Sequence, residues 1–147
     1  MITVREISEN EIKNVALLEE EVFSDAWSEK SILETFSQKN AFILGAWKED
    51  VFAGYVIFYY VLDEGEIARI ATAPSCRRTG VAGTVFEKLL MVCEEKGIER
   101  ILLDVRQSND AAVAFYRRCG FSEDGIRRNF YENPKEHAIL MSRTIAR

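Results

Sequence analysis

The run Ile101-Leu102-Leu103-Asp104-Val105-Arg106 constrains the fold more than any other stretch of this chain. Its first residues are apolar on both faces, which is the pattern of a central strand covered on both sides. Amphipathic helical patterns stand on either side of it in sequence. Before it, Val85, Phe86, Leu89, Leu90 and Cys93 form one stripe, Glu87, Lys88, Glu94 and Glu95 face away, and Gly97 closes the helix. After it, Asn109 to Cys119 reads as helix and Gly120 ends it. A strand between two such helices belongs in a sheet layered with helices.

The remaining elements agree. Thr3 to Ile7 alternates as a strand, and Ser8 with Glu11 offers a capping box for a helix over Glu9 to Phe23. Ser28 caps a second helix whose apolar face is Ile32, Leu33 and Phe36. Ala41 to Trp47 and Val51 to Leu62 form a hairpin around Lys48-Glu49-Asp50, followed by a strand from Glu64 to Ala73 that Pro74 stops. Strands at about Phe121–Tyr131 and His137–Thr144 complete the order β-α-α-β-β-β-α-β-α-β-β. With 147 residues and no linker or repeat, residues 1–147 are expected to form one mixed α/β domain, a twisted sheet flanked by helices.

Several function classes are excluded early. The apolar run Ala53 to Leu62 is about half the roughly 20 residues of a membrane-spanning helix. The N-terminus lacks the basic start and apolar stretch of a secretory signal, so a cytoplasmic location is expected. Cys76, Cys93 and Cys119 show no CxxC spacing, so neither a disulfide framework nor a metal site is expected. A net charge of -5, from 19 basic and 24 acidic side chains, argues against bulk electrostatic binding to nucleic acid, though not against one local basic patch, and no direct nucleic-acid binding is expected. The oligomeric state stays open, a monomer being the simpler expectation.

Three places can carry chemistry. Between a strand and a helix lies Arg77-Arg78-Thr79-Gly80-Val81-Ala82-Gly83, where unpaired backbone N–H groups, the helix dipole and two arginines suit a phosphate. The same composition also suits an ordinary helix start. Asp104, a carboxylate in an apolar strand, is kept for chemistry or is paired with a cation, and Arg106 on the same face is a ready partner. Asn109 and Tyr116 lie about two turns apart on one helix face and can reach a ligand, though Asn109 can equally cap the helix and Tyr116 can equally be core. His137 lacks partners for a catalytic role, and the Phe58-Tyr59-Tyr60 run reads first as strand packing.

Taken in order, these pieces resemble the GCN5-related N-acetyltransferase (GNAT) family. Arg77-x-x-Gly80-x-Ala82 resembles its pyrophosphate signature, and Asn109-x-x-Ala112-x-x-x-Tyr116 followed by Gly120-Phe121 resembles its second block. Within the family the likeness is to the bacterial ribosomal-protein alanine N-acetyltransferases of RimI type. It rests on Trp27-Ser28-Glu29-Lys30, Val61-Leu62-Asp63-Glu64, Asp104-Val105-Arg106-x-Ser108-Asn109, the Ile126 to Tyr131 run and Ala138-Ile139-Leu140-Met141. Two positions depart from that group's usual pattern, Asp104 standing for glutamate and Ala26 for proline.

The resemblance implies a mostly antiparallel sheet and acetyl transfer from acetyl-coenzyme A to an amine by direct attack in a ternary complex. It implies that the acceptor is a protein N-terminus, the N-terminal alanine of a small-subunit ribosomal protein. Lysine side chains, small-molecule amines and a non-catalytic acyl-coenzyme A-binding role are the alternatives. Asp104 is then the base, with Glu66 and Glu64 as second choices, and Tyr116 the acid. Ile70, Ala71 and Thr72 are expected to hold the pantetheine arm and the oxyanion, residues 77–83 the diphosphate, and Asn109 the coenzyme arm. Arg127, Arg128 and Tyr131 are candidates to line an acceptor groove between the early helices and the last strands.

Overall fold

In the computed structural model, which describes residues 1–145, the strands are β1 (Ile2–Glu6), β2 (Ala41–Lys48), β3 (Val51–Val61), β4 (Glu64–Thr72), β5 (Arg100–Arg106), β6 (Ser122–Tyr131) and β7 (Glu136–Thr144). The helices are α1 (Ile12–Val22), α2 (Glu29–Phe36), α3 (Val81–Lys96) and α4 (Asp110–Arg118). Local chemistry sets their ends. Ser28 Oγ accepts from the Ser31 N–H at 3.1 Å, Glu11 accepts from the Ser8 N–H at 2.8 Å, and Gly97 ends α3 in the left-handed conformation at φ 75°. The first helix differs from expectation: Glu9–Glu11 form a 3-10 turn and the α-helix begins at Ile12. The tighter turn keeps Glu11 on Arg5, which it binds through both oxygens at 2.9 and 2.8 Å.

The sheet has seven strands in the order β1-β2-β3-β4-β5-β7-β6. Every neighbouring pair is antiparallel except β4 and β5. That parallel pair is short. It runs from Glu64 opposite Arg100 to Ile67 opposite Leu103 and then stops, although β4 continues to Thr72 and β5 to Arg106. A bulge in β4 accompanies the parting: Ile57 of β3 faces Arg69 and Phe58 faces Ile67, so Ala68 has no opposite number. An extra residue bends and twists its strand, which carries β4 away from β5.

Strand alternation sorts the two faces. Gly54 turns toward α3; a Cβ there would lie 2.6 Å from the Ala71 oxygen and 3.1 Å from Val81 Cγ1, so glycine alone lets the start of α3 settle on β3. Tyr55, next along, turns to the other face and donates its hydroxyl to Glu19 of α1. Val85, Phe86, Leu89 and Cys93 of α3 are buried as the stripe predicts, while Leu90 is only half-buried.

One expectation fails in part. β5 is interior in the sheet, but only Ile101, Leu103 and Val105 are buried; Leu102 and Asp104 on its other face are half-buried. α1 and α2 pack over β2, β3 and β4 and leave that face of β5 uncovered. Leu102 and Asp104 keep partial access to solvent there.

Candidate active site

The mouth is built by three backbone features that converge where β4 and β5 part. The Ala73 N–H bonds the Ala53 oxygen at 2.7 Å, so by antiparallel alternation the N–H groups of Ile70 and Thr72 point away from β3, into the gap that β5 has left. Gly80 caps α3 at φ 88°, and no side chain accepts from the first turn of that helix. A Cβ at Gly80 or Gly83 would meet nothing within 4 Å, so the approach to those N–H groups is open. Arg78 takes φ 64°, and Arg77, Arg78 and Thr79 are exposed, the Thr79 hydroxyl donating to the Cys76 oxygen at 2.5 Å. The two arginines have no ion-pair partner among the described residues, which leaves both charges for an anion.

Asp104 stands one residue past the last β4–β5 rung, on the uncovered face. Arg106 is not its partner, against the structural alternative that the sequence allowed. The Arg106 guanidinium bonds Glu136 at 3.3 Å and the Glu132 and Pro134 oxygens at 2.9 and 3.0 Å, and stacks on Tyr131 at 4.4 Å. The Asp104 side chain makes no hydrogen bond or ion pair among the described residues. Glu66 lies beside it, opposite Leu102 in the register. Burial, then the Asp104 charge, pushes the Glu66 carboxyl above the usual carboxylate range, and Arg127 pulls it back. Glu64, at the start of β4, is exposed beside Arg100 at 3.7 Å, away from this pair.

Tyr116 is 6% exposed, packed edge-on against Phe115 and Phe121 with centroids 5.6 and 5.7 Å away. Its hydroxyl has no protein partner, and no buried polar side-chain atom of the described residues is left unsatisfied, so the hydroxyl is the accessible tip of an otherwise buried ring. Burial foremost, then Tyr131, holds it protonated above the ordinary tyrosine range. Tyr131 is pushed up to about 12 by burial and then by Asp104, which sets its hydroxyl within electrostatic reach of the carboxylate. Asn109 realises its capping role: Oδ1 accepts from the Ala112 N–H at 3.1 Å, and its amide NH₂ stays unengaged. His137 is structural, its Nδ1 accepting from the Asn129 N–H at 2.9 Å.

A strand end with inward N–H groups, an uncapped helix N-terminus beside two unpaired arginines, and an unpaired carboxylate at a parted sheet give an acyl-transfer geometry. The acetyltransferase (GNAT) family model matches residues 11–121.

The chain belongs to the GNAT acetyltransferase family.

GNAT enzymes are acetyl-coenzyme A-dependent N-acetyltransferases, so the coenzyme thioester is this enzyme's cosubstrate. The open helix start fits its diphosphate and the parted strand end fits its arm. The chain is 32% identical over 143 residues to the putative [ribosomal protein bS18]-alanine N-acetyltransferase of Bacillus subtilis, covering 97% of this chain and 95% of that one. It is 32% identical over 148 residues to the [ribosomal protein bS18]-alanine N-acetyltransferase of Salmonella typhimurium, covering 99% of each. The crystal structure of the ribosomal-protein-S18-alanine N-acetyltransferase from Escherichia coli superposes with a TM-score of 0.92 at 30% identity, over 100% of this chain and 96% of that one. Among the described residues no cluster of metal-binding side chains is present, and no helix is long and apolar enough to cross a membrane.

The sequence reading missed Glu19, a fully buried carboxylate. Within Glu19-Glu20-Glu21 it looks like one more solvated acid. The signal was its spacing, four residues after Val15 and seven after Ile12 on the buried face of α1.

Proposed function

We propose that this GNAT enzyme acetylates the α-amine of a protein N-terminus, its acceptor being the N-terminal alanine of a small-subunit ribosomal protein of the bS18 kind. Whole-length likeness to enzymes named for that acceptor supports the choice of substrate. The observation that carries the chemistry is Asp104, an unpartnered half-buried carboxylate at the point where the sheet opens. Residues 1–147 act as one N-acetyltransferase unit in the cytoplasm, a location in keeping with the free thiols of Cys76, Cys93 and Cys119.

A free α-amine has a pKa of about 7.7–8.0, so a fraction is neutral near pH 7 and a modest base suffices. Asp104 takes the proton as the amine attacks; its side chain is short, so it acts through a water. Glu66 beside it lends a second carboxyl to the ammonium before attack. The N–H groups of Ile70 and Thr72, with Ala71 between them holding the arm, face the carbonyl oxygen as it gains negative charge. Tyr116 keeps its proton because its ring is buried, and gives it to the departing sulfur. Arg77, Arg78 and Thr79, with the N–H groups from Gly80 through Val81, Ala82 and Gly83, hold the diphosphate, and the free amide NH₂ of Asn109 steadies the coenzyme arm. Arg127 and Tyr131 line the acceptor groove, and Arg128 stands at its rim. No acetyl group passes through the enzyme itself.

The test is turnover with acetyl-coenzyme A on an alanine-starting peptide and on the same peptide with its N-terminus blocked. Transfer to the first alone supports the reading; equal transfer to a lysine in both refutes it. Mass spectrometry of acetylated N-termini in cells with and without the protein then names the acceptor.

A further inference from the structure

The chemistry above makes no use of the buried cluster around Glu19. A buried carboxylate persists only with partners, and Glu19 has three. One oxygen accepts from the Tyr55 hydroxyl; the other accepts from Arg69 Nε at 2.8 Å and from the Trp27 backbone N–H at 2.9 Å. Arg69 then reaches on. Its Nη2 donates to the Asp25 carbonyl oxygen at 2.9 Å and to Asp25 Oδ1 at 3.1 Å, and its guanidinium plane lies 4.0 Å over Phe23 and 5.8 Å from the Trp27 ring. One side chain of β4 thus grips residues 23, 25 and 27 of the segment joining α1 to α2, with Glu19 as the anchor.

The location of the grip gives it a purpose. Arg69 directly follows the bulge at Ala68 and directly precedes Ile70, so it stands where β4 leaves β5. Trp27 and Ser28 line two surface hollows, the smaller of about 420 Å³ and bounded also by Thr35 and Tyr59. Tyr59 faces Glu66 in the β3–β4 register, so that hollow lies on the same face of the sheet as Glu66. Tyr131 of β6 lies close enough to feel the charges of Arg69, Asp25 and Asp104 together. The 23–28 segment, gripped by Arg69, and Tyr131 therefore lie in the same neighbourhood as Asp104.

We infer that Arg69, anchored by Glu19, is a positioning residue that fixes the 23–28 segment as one wall of the acceptor groove and so sets acceptor affinity. The inference rests on the proposed function for the nature of the acceptor, a peptide amine, but not for the grip itself. Arginine is required because only a planar fork bonds Glu19 and Asp25 at once while stacking on Phe23; lysine keeps the charge but offers a compact point donor.

The test compares the full-length enzyme with Arg69→Lys, using steady-state kinetics and hydrogen exchange over residues 23–28. In Arg69→Lys, KM for the alanine-starting peptide rises about tenfold, the size of one charge-assisted hydrogen bond lost. KM for acetyl-coenzyme A and kcat stay within about twofold, and the Trp27 amide exchanges faster. Because lysine leaves Glu19 with a poorer partner and can cost stability, the double variant Glu19→Gln/Arg69→Met removes both charges together and gives the same pattern. Wild-type exchange at Trp27, an unchanged peptide KM with a loosened segment, or an equal rise in both KM values overturns the inference. A wild-type enzyme that binds acetyl-coenzyme A yet acetylates no alanine-starting peptide refutes the function instead, and exchange at Trp27 then decides the grip alone.

Discussion

Replacing Tyr116 with phenylalanine separates a chemical role from a structural one, because the hydroxyl has no protein partner to lose. The ring contacts with Phe115 and Phe121 survive the change. Deleting the hydroxyl strands no buried donor or acceptor, so stability should move by no more than about 0.5 kcal/mol, roughly 1–2 °C in melting temperature. Turnover should respond very differently. Losing a general acid costs about 10²-fold or more in kcat, which is about 2.7 kcal/mol of barrier. Burial holds the hydroxyl above its ordinary range, so it stays protonated in the neutral assay range and the loss should be uniform there. The assay is steady-state kinetics with a thiol-reporting dye, beside calorimetric titration with acetyl-coenzyme A, whose affinity should not change. A Tyr116→Phe enzyme with wild-type kcat would refute the assignment, and one with normal kcat but weakened coenzyme binding would recast the hydroxyl as a ligand.

Asp104→Asn should lower kcat and also lower the Glu66 pKa, since the neighbouring charge that helps raise it is gone; carbon NMR of the carboxyl reads this directly. The raised Glu66 pKa means that its ionised form is disfavoured in the fold, so its cost appears as pH rises through that pKa and is absent below the ordinary carboxylate range. Glu66→Gln should therefore melt higher than wild type near pH 7 and equally at low pH, and the reverse order would show the carboxylate to be well solvated. Gly80→Ala should lower stability by about 1–2 kcal/mol because φ 88° is a left-handed backbone, and should weaken acetyl-coenzyme A as well because its methyl enters the open mouth. Arg78→Glu should weaken coenzyme binding more at low salt than at high, and a salt-independent loss would remove the charge argument.

Local signals proved sufficient for the elements and insufficient for their meeting. Ser28, Gly97 and Gly80 mark helix ends because capping is decided within a few residues. The partner of Arg106 was not legible, since Glu136 arrives from thirty residues downstream and competes with the nearer Asp104. The parting of β4 from β5 was invisible for a similar reason. It depends on a bulge at Ala68 defined by the register against β3, and no property of Ala68 itself announces it. The half-covered face of β5 was equally hidden, because it depends on α1 and α2 packing over β2, β3 and β4 instead. Glu19 was hidden by its company, two further glutamates that do face water.

Among the described residues, the strand ladder between β1 to β4 and the trio β5, β7 and β6 consists of four register pairs, from Glu64–Arg100 to Ile67–Leu103. In the proposed binding mode, a pantetheine chain threaded between the lips would supply the rungs that the protein omits. Cosubstrate loading would then also be the last act of sheet assembly, and each half should gain resistance to opening from a molecule that leaves again after every turnover.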